Sequence, residues 1–94
     1  MKVYRTFEEL RKEINHQKAS GNKVGFVPTM GALHQGHLAL IDQSLAETGF
    51  TVCSIFVNPT QFNKSKDLKD YPRNEERDFN LLKSVGCHAV FALL

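Results

Sequence analysis

Two imidazoles three residues apart, His34 and His37, sit in the stretch Val27-Pro28-Thr29-Met30-Gly31-Ala32-Leu33-His34-Gln35-Gly36-His37-Leu38. Side chains at this spacing share one face of a helix, so both rings can meet one ligand at the helix mouth. A helix opening near Gln35 adds unpaired N–H groups and the positive end of its dipole, and these together favour an anion. Gly31 and Gly36 remove side chains where a phosphate would come close to the backbone. The chemistry to expect is stabilisation of a polyphosphate as negative charge builds at phosphorus. Two other readings fit the spacing. The pair could ligate a metal, although no third ligand of the usual kinds is nearby in sequence. Alternatively, His34 caps the helix and His37 packs against its neighbours.

Such a site needs a strand ending before the turn and a helix starting after it, and the flanking residues supply both. Val24, Phe26 and Val27 predict a buried strand over residues 23–27, ended by Pro28. Leu38, Ile41 and Leu45 recur at helical spacing within residues 35–47, and Gly49 ends that helix. Upstream, Thr6 and Glu9 form a capping box. Phe7, Leu10 and Ile14 continue as a helix over 7–20, stopped by Gly21. Val52, Cys53, Ile55, Phe56 and Val57 predict a strand over 51–57 covered on both faces. Residues 60–72 are polar, lysine-rich and aperiodic. Asn74 opens a helix whose Phe79, Leu82 and Val85 face inward, and residues 89–93 form a last apolar strand. Strands alternating with helices at these lengths predict a three-layer α/β fold with a parallel sheet.

Composition narrows the class. The chain has 94 residues, 41% of them apolar, and a formal net charge of +2 with no block of like charge, which argues against nucleic acid as a partner. No run of eighteen apolar residues is present to span a membrane, and the first residues lack the apolar core of a signal peptide. A cytoplasmic location is expected. Cys53 and Cys87 lie inside apolar stretches without a CxxC spacing and read as buried free thiols. His16 and His88 fall on an exposed helix face and at a strand start, and neither is given a role.

The segments Phe26-Val-Pro-Thr-Met-Gly-Ala-Leu-His-Gln-Gly-His-Leu-Ala-Leu-Ile41 and Ser54-Ile-Phe-Val-Asn-Pro-Thr-Gln-Phe-Asn-Lys-Ser-Lys-Asp-Leu-Lys-Asp-Tyr-Pro-Arg-Asn-Glu-Glu-Arg-Asp78 together resemble the pantoate–β-alanine ligases. These belong to the Rossmann-like nucleotidyl-transferring group that carries H-x-G-H. The resemblance implies ATP with Mg2+, adenylation of pantoate with release of pyrophosphate, and displacement of AMP by β-alanine. It assigns Met30, Gly31, Ala32, Leu33, His34, Gln35, Gly36 and His37 to the ATP site, His37 and His34 being the catalytic pair. It assigns pantoate and β-alanine to Gln61 and Asn58, with Pro28, Thr29, Met30 and Phe62 alongside. A glutamine amide can accept from a hydroxyl and donate to a carboxylate, as a hydroxy acid requires. Met30 and Phe62 offer apolar wall for pantoate's dimethyl carbon. Without the family, Asn58 reads equally as an Asx turn before proline, Gln61 as a loop residue and Phe62 as a core plug.

Residues 1–94 would form only the N-terminal portion of the nucleotide-binding domain, the first half of its sheet, with the C-terminal domain absent. The chain is therefore expected to be inactive alone, because an ATP pocket needs groups converging from several sides. The strand over 23–27 should keep an open edge, through which self-association, as a homodimer or otherwise, is expected. A smaller H-x-G-H nucleotidyltransferase and a non-catalytic nucleotide-binding or dimerising half-domain are the other functions compatible with the residues.

Overall fold

The computed structural model describes residues 1–56 and 74–93. The chain runs β1 (Lys2–Tyr4), α1 (Phe7–Ala19), β2 (Val24–Thr29), α2 (Gln35–Glu47), β3 (Phe50–Ile55), α3 (Glu75–Ser84) and β4 (Ala89–Ala92). The strands form one sheet in the order β1-β4-β3-β2, every pair parallel. Alternate residues of each strand feed two cores. Val27, Cys53 and Val90 pack under Leu33, Ile41 and Leu82, so α2 and α3 cover one face. Phe50, Val52, Ala89 and Phe91 pack under Leu10 and Ile14 of α1 on the other. The result is the three-layer α/β arrangement that the alternation of elements predicts.

Local chemistry sets the element ends. At α1 the Glu9 N–H donates to Thr6 Oγ1 at 3.2 Å and the Thr6 N–H donates to Glu9 Oε1 at 3.2 Å, which completes the expected capping box. Asn74 caps α3 through Oδ1, which accepts from the Arg77 N–H at 3.0 Å. Gly25 lies against α2, where any Cβ would collide with Ser44 Oγ.

Two features depart from the sequence reading. β1 is a real strand: it pairs with β4 from Lys2↔Ala89 to Tyr4↔Phe91. Three residues without an apolar run leave no periodic signal. Its end is tied to α3 by an Arg5–Glu75 ion pair of 2.6 Å, and Arg5 also lies over the Phe79 ring, 5.7 Å from its centroid.

β2 also continues through Pro28 to Thr29 instead of stopping before the proline. The carbonyls of Lys23 and Thr29 accept from the Phe50 and Phe56 N–H groups, at 3.1 and 3.0 Å. Odd-numbered residues of β2 therefore turn their backbone groups toward β3, and even-numbered ones turn outward. Pro28 is even-numbered, so the N–H it lacks would face the free edge, where a strand tolerates proline. Among the described residues β2 has no second neighbour, as expected from the winding of the chain.

Candidate functional site at the mouth of helix α2

The turn between β2 and α2 is held mostly by groups outside it. Thr29 is buried, and its hydroxyl donates to the Ser54 carbonyl at 2.9 Å and accepts from the Gly31 N–H at 3.2 Å. Gly31 and Ala32 both adopt left-handed backbone, with φ of 86° and 51°. For alanine this costs roughly 1–2 kcal/mol. Asp78, 2% exposed, offsets that cost by accepting from the Ala32 and Leu33 N–H groups, each at 3.0 Å. Arg77 completes the grip by donating to the Leu33 carbonyl at 2.9 Å and to Asp78 Oδ1 at 3.2 Å.

The histidines are joined reciprocally across the first turn of α2. His34 is the N-cap, and its Nδ1 accepts from the Gly36 N–H at 3.0 Å. His37 Nδ1 accepts from the His34 N–H at 3.1 Å. The ring centroids are 4.0 Å apart and the planes tilted by 34°. With both Nδ1 atoms accepting, each neutral ring carries its proton on Nε2. The helix mouth thus gives up the backbone donors of His34 and Gly36 and presents two Nε2–H donors instead.

This geometry corrects one expectation. The Gly36 N–H is used internally, and the glycine is needed for a different reason. A Cβ there would lie 2.8 Å from His34 Cε1, so the missing side chain makes room for the capping ring. Burial, then the neighbouring His34, hold His37 below the ordinary imidazole pKa, with Asp78 opposing. Capping and ligand binding were set against each other as alternatives in the sequence, yet the two nitrogens of each ring allow both.

The other expected site residues separate by exposure. Gln35, Gly36 and His34 are exposed, while Met30, Ala32 and His37 are half-buried. Gly31 is buried, with Ile55 and Asp78 atoms closing the space a Cβ would take. Leu33 is 1% exposed and belongs to the core under α2 and α3, so its side chain cannot line a nucleotide pocket. Thr29 has its hydroxyl committed within the fold, and Pro28 lies exposed on the β2 edge. Asn58, Gln61 and Phe62 lie outside the described residues. Asp78 and Arg77 were missed by sequence reading. They follow two glutamates in a charged helix start that reads as a solvated surface.

Cys53 and Cys87 are buried and unpaired. Burial, then the neighbouring Cys87, push the Cys53 thiol up to about 12. Among the described residues no group of three or more His, Cys, Asp or Glu stands together to hold a metal, and no helix is long and apolar enough to cross a membrane.

A parallel sheet covered by helices on both faces, with a paired H-x-G-H at the mouth of the helix that follows an edge strand, defines a three-layer Rossmann-like α/β domain. The family model for pantoate–β-alanine ligase matches residues 2–92, and the chain belongs to that family. It is 48% identical over 91 residues to pantothenate synthetase of Porphyromonas gingivalis, covering 97% of this chain and 32% of the relative. It is 51% identical over 92 residues to that of Bacteroides thetaiotaomicron, covering 98% and 33%. Pantothenate synthetase from Thermus thermophilus superposes with a TM-score of 0.87 at 45% identity, over 100% of this chain and 32% of that one. Pantoate-beta-alanine ligase from Francisella tularensis, complexed with beta-gamma ATP and beta-alanine, superposes with a TM-score of 0.87 at 38% identity, over 99% and 35%. The chain thus spans about a third of the length of the relatives it matches.

Proposed function

We propose that residues 1–94 are the N-terminal portion of the nucleotide-binding domain of a pantoate–β-alanine ligase, carrying the polyphosphate side of its ATP site. The observation that carries this reading is the reciprocal cap of His34 and His37, which among the described residues leaves the Nε2–H of each of two adjacent rings without a partner at a helix N-terminus. In the reaction, a pantoate carboxylate oxygen attacks the α-phosphorus of ATP. The bond to the β-phosphate bridging oxygen breaks, and pyrophosphate leaves with the electron pair. The β-alanine amine then displaces AMP from the acyl carbon and loses its proton. His37 and His34 donate to phosphate oxygens as charge gathers there. The solved complex of the Francisella relative with an ATP species and β-alanine supports the choice of ligands.

Mg2+ is expected to arrive with the nucleotide. Among the described residues, Asp78 is the carboxylate bonded to the turn, and its oxygens are taken by Ala32, Leu33 and Arg77. The ion would therefore be held by phosphate oxygens. Asn58 and Gln61, with Met30 and Phe62 as apolar wall, are assigned to pantoate and β-alanine, and the location is taken to be cytoplasmic. Calorimetric titration of ATP into this chain tests the nucleotide side. Weak binding that disappears in His34→Ala/His37→Ala is expected, and binding unaffected by the double substitution refutes the reading.

Self-association through β2 is a second part of the proposal. Its outward edge is flanked by Phe26 and Leu40, 51% and 52% exposed, beside a shallow groove that also includes Pro28 and Ser44. Light scattering across a concentration series should give a mass rising above 10.6 kDa. A constant monomer mass up to millimolar protein rules this out.

A further inference from the structure

We infer that Arg77 and Asp78 are positioning residues for His37, acting through the peptide that joins Leu33 to His34. The significance of that role rests on the polyphosphate function proposed for His37. Leu33 C=O and His34 N–H are the two ends of one peptide unit. Arg77 Nη2 donates to the first at 2.9 Å, and the second donates to His37 Nδ1 at 3.1 Å. A guanidinium on the carbonyl polarises the amide, which strengthens the N–H as a donor to the ring. That bond makes Nδ1 an acceptor, places the His37 proton on Nε2 and fixes the ring plane.

Asp78 secures the two peptide units that precede the Leu33–His34 peptide. It accepts from the Ala32 and Leu33 N–H groups and so holds the left-handed turn that aims the Leu33 carbonyl at α3. Neither residue faces the ligand side of the imidazoles through these bonds, so both act through His37. A relay of guanidinium, peptide and imidazole, spanning 44 residues of sequence between Arg77 and Leu33, has no purpose in core packing. Arg77 is 52% exposed, and burial gives no reason for its placement.

The test is the long-range 1H–15N spectrum of the His37 ring in the whole chain, for wild type, Arg77→Ala, Arg77→Lys and Asp78→Asn. The wild-type ring should show an unprotonated Nδ1 and a protonated Nε2. Arg77→Ala should stay folded by circular dichroism while Nδ1 and Nε2 move toward tautomer-averaged values, and Arg77→Lys should restore most of the difference. Pyrophosphate affinity should fall roughly 3- to 10-fold in Arg77→Ala, the lower part of what coupling within a shared network gives. An unchanged His37 tautomer in folded Arg77→Ala overturns the inference. If Asp78→Asn does not fold, the arginine pair decides. The tautomer readout needs no ligand: wild-type failure to bind pyrophosphate would count against the polyphosphate reading alone.

Discussion

Replacing Gly36 by alanine separates the stability of helix α2 from the function of its mouth. The new Cβ would lie 2.8 Å from Cε1 and 3.1 Å from Nδ1 of His34. Real Cβ contacts are not this short, and an exposed ring is the part that can yield, so the His34 imidazole must swing away and its cap on the Gly36 N–H is lost. Loss of an N-cap costs about 1 kcal/mol. Alanine in place of glycine within a helix returns roughly 0.5–1 kcal/mol. The two nearly cancel, and ΔG of unfolding from urea denaturation should change by less than about 1 kcal/mol. For a domain of this size that is a melting shift of no more than roughly 8 °C. Binding behaves differently. A hydrogen bond to a charged oxygen contributes about 1.5–3 kcal/mol, so pyrophosphate affinity should fall roughly 10- to 100-fold. A variant destabilised by several kcal/mol, or one that binds pyrophosphate as wild type does, refutes the coupling of Gly36 to the His34 ring.

Other outcomes follow from the same geometry. His37 titrates below its ordinary 6.5 in the folded chain, so between the two values the unfolded state holds more protons. Stability should therefore be full above about pH 6.5 and fall as pH drops through that value. Urea midpoints from pH 8 to 5 check this, and the slope should shrink in His37→Asn. Cys53 and Cys87, with thiols raised by burial, should not react with a disulfide reagent at pH 8 until urea unfolds the chain; prompt labelling would contradict their placement. Ala32→Gly should be neutral or stabilising by up to about 1 kcal/mol, because φ of 51° suits glycine. Gly31→Ala, at φ of 86° with Ile55 and Asp78 atoms at 3.3 and 3.4 Å, should lose at least about 1–2 kcal/mol. Thermal melts of the pair decide both.

The layering of the fold is legible in sequence because amphipathic periods survive in isolation. Leu38, Ile41 and Leu45 announce α2, the apolar run of β3 announces a strand buried on both faces, and Thr6 with Glu9 marks the start of α1. What escapes is whatever depends on distant partners. β1 becomes a strand only because β4 lies beside it. Pro28 stays in β2 because its outward side is an edge, which local residues cannot reveal. Asp78 reads as one more charge in Glu75-Glu76-Arg77-Asp78, and its burial exists only because a turn 45 residues earlier in sequence offers Leu33 N–H. The H-x-G-H spacing suggests a ligand-facing pair, but not that each ring spends its other nitrogen on the backbone. The tautomer follows from that use.

The arrangement of both histidines at the helix mouth, Nδ1 accepting and the proton on Nε2, is tested most directly by their long-range 1H–15N spectra, recorded with and without pyrophosphate at pH 7.5. Both Nδ1 nuclei should resonate as unprotonated acceptors in the free chain, and both Nε2–H signals should move together on titration while Nδ1 stays nearly fixed. A proton on Nδ1 of either ring in the free chain, or pyrophosphate binding that leaves both Nε2 nuclei where they were, would contradict it.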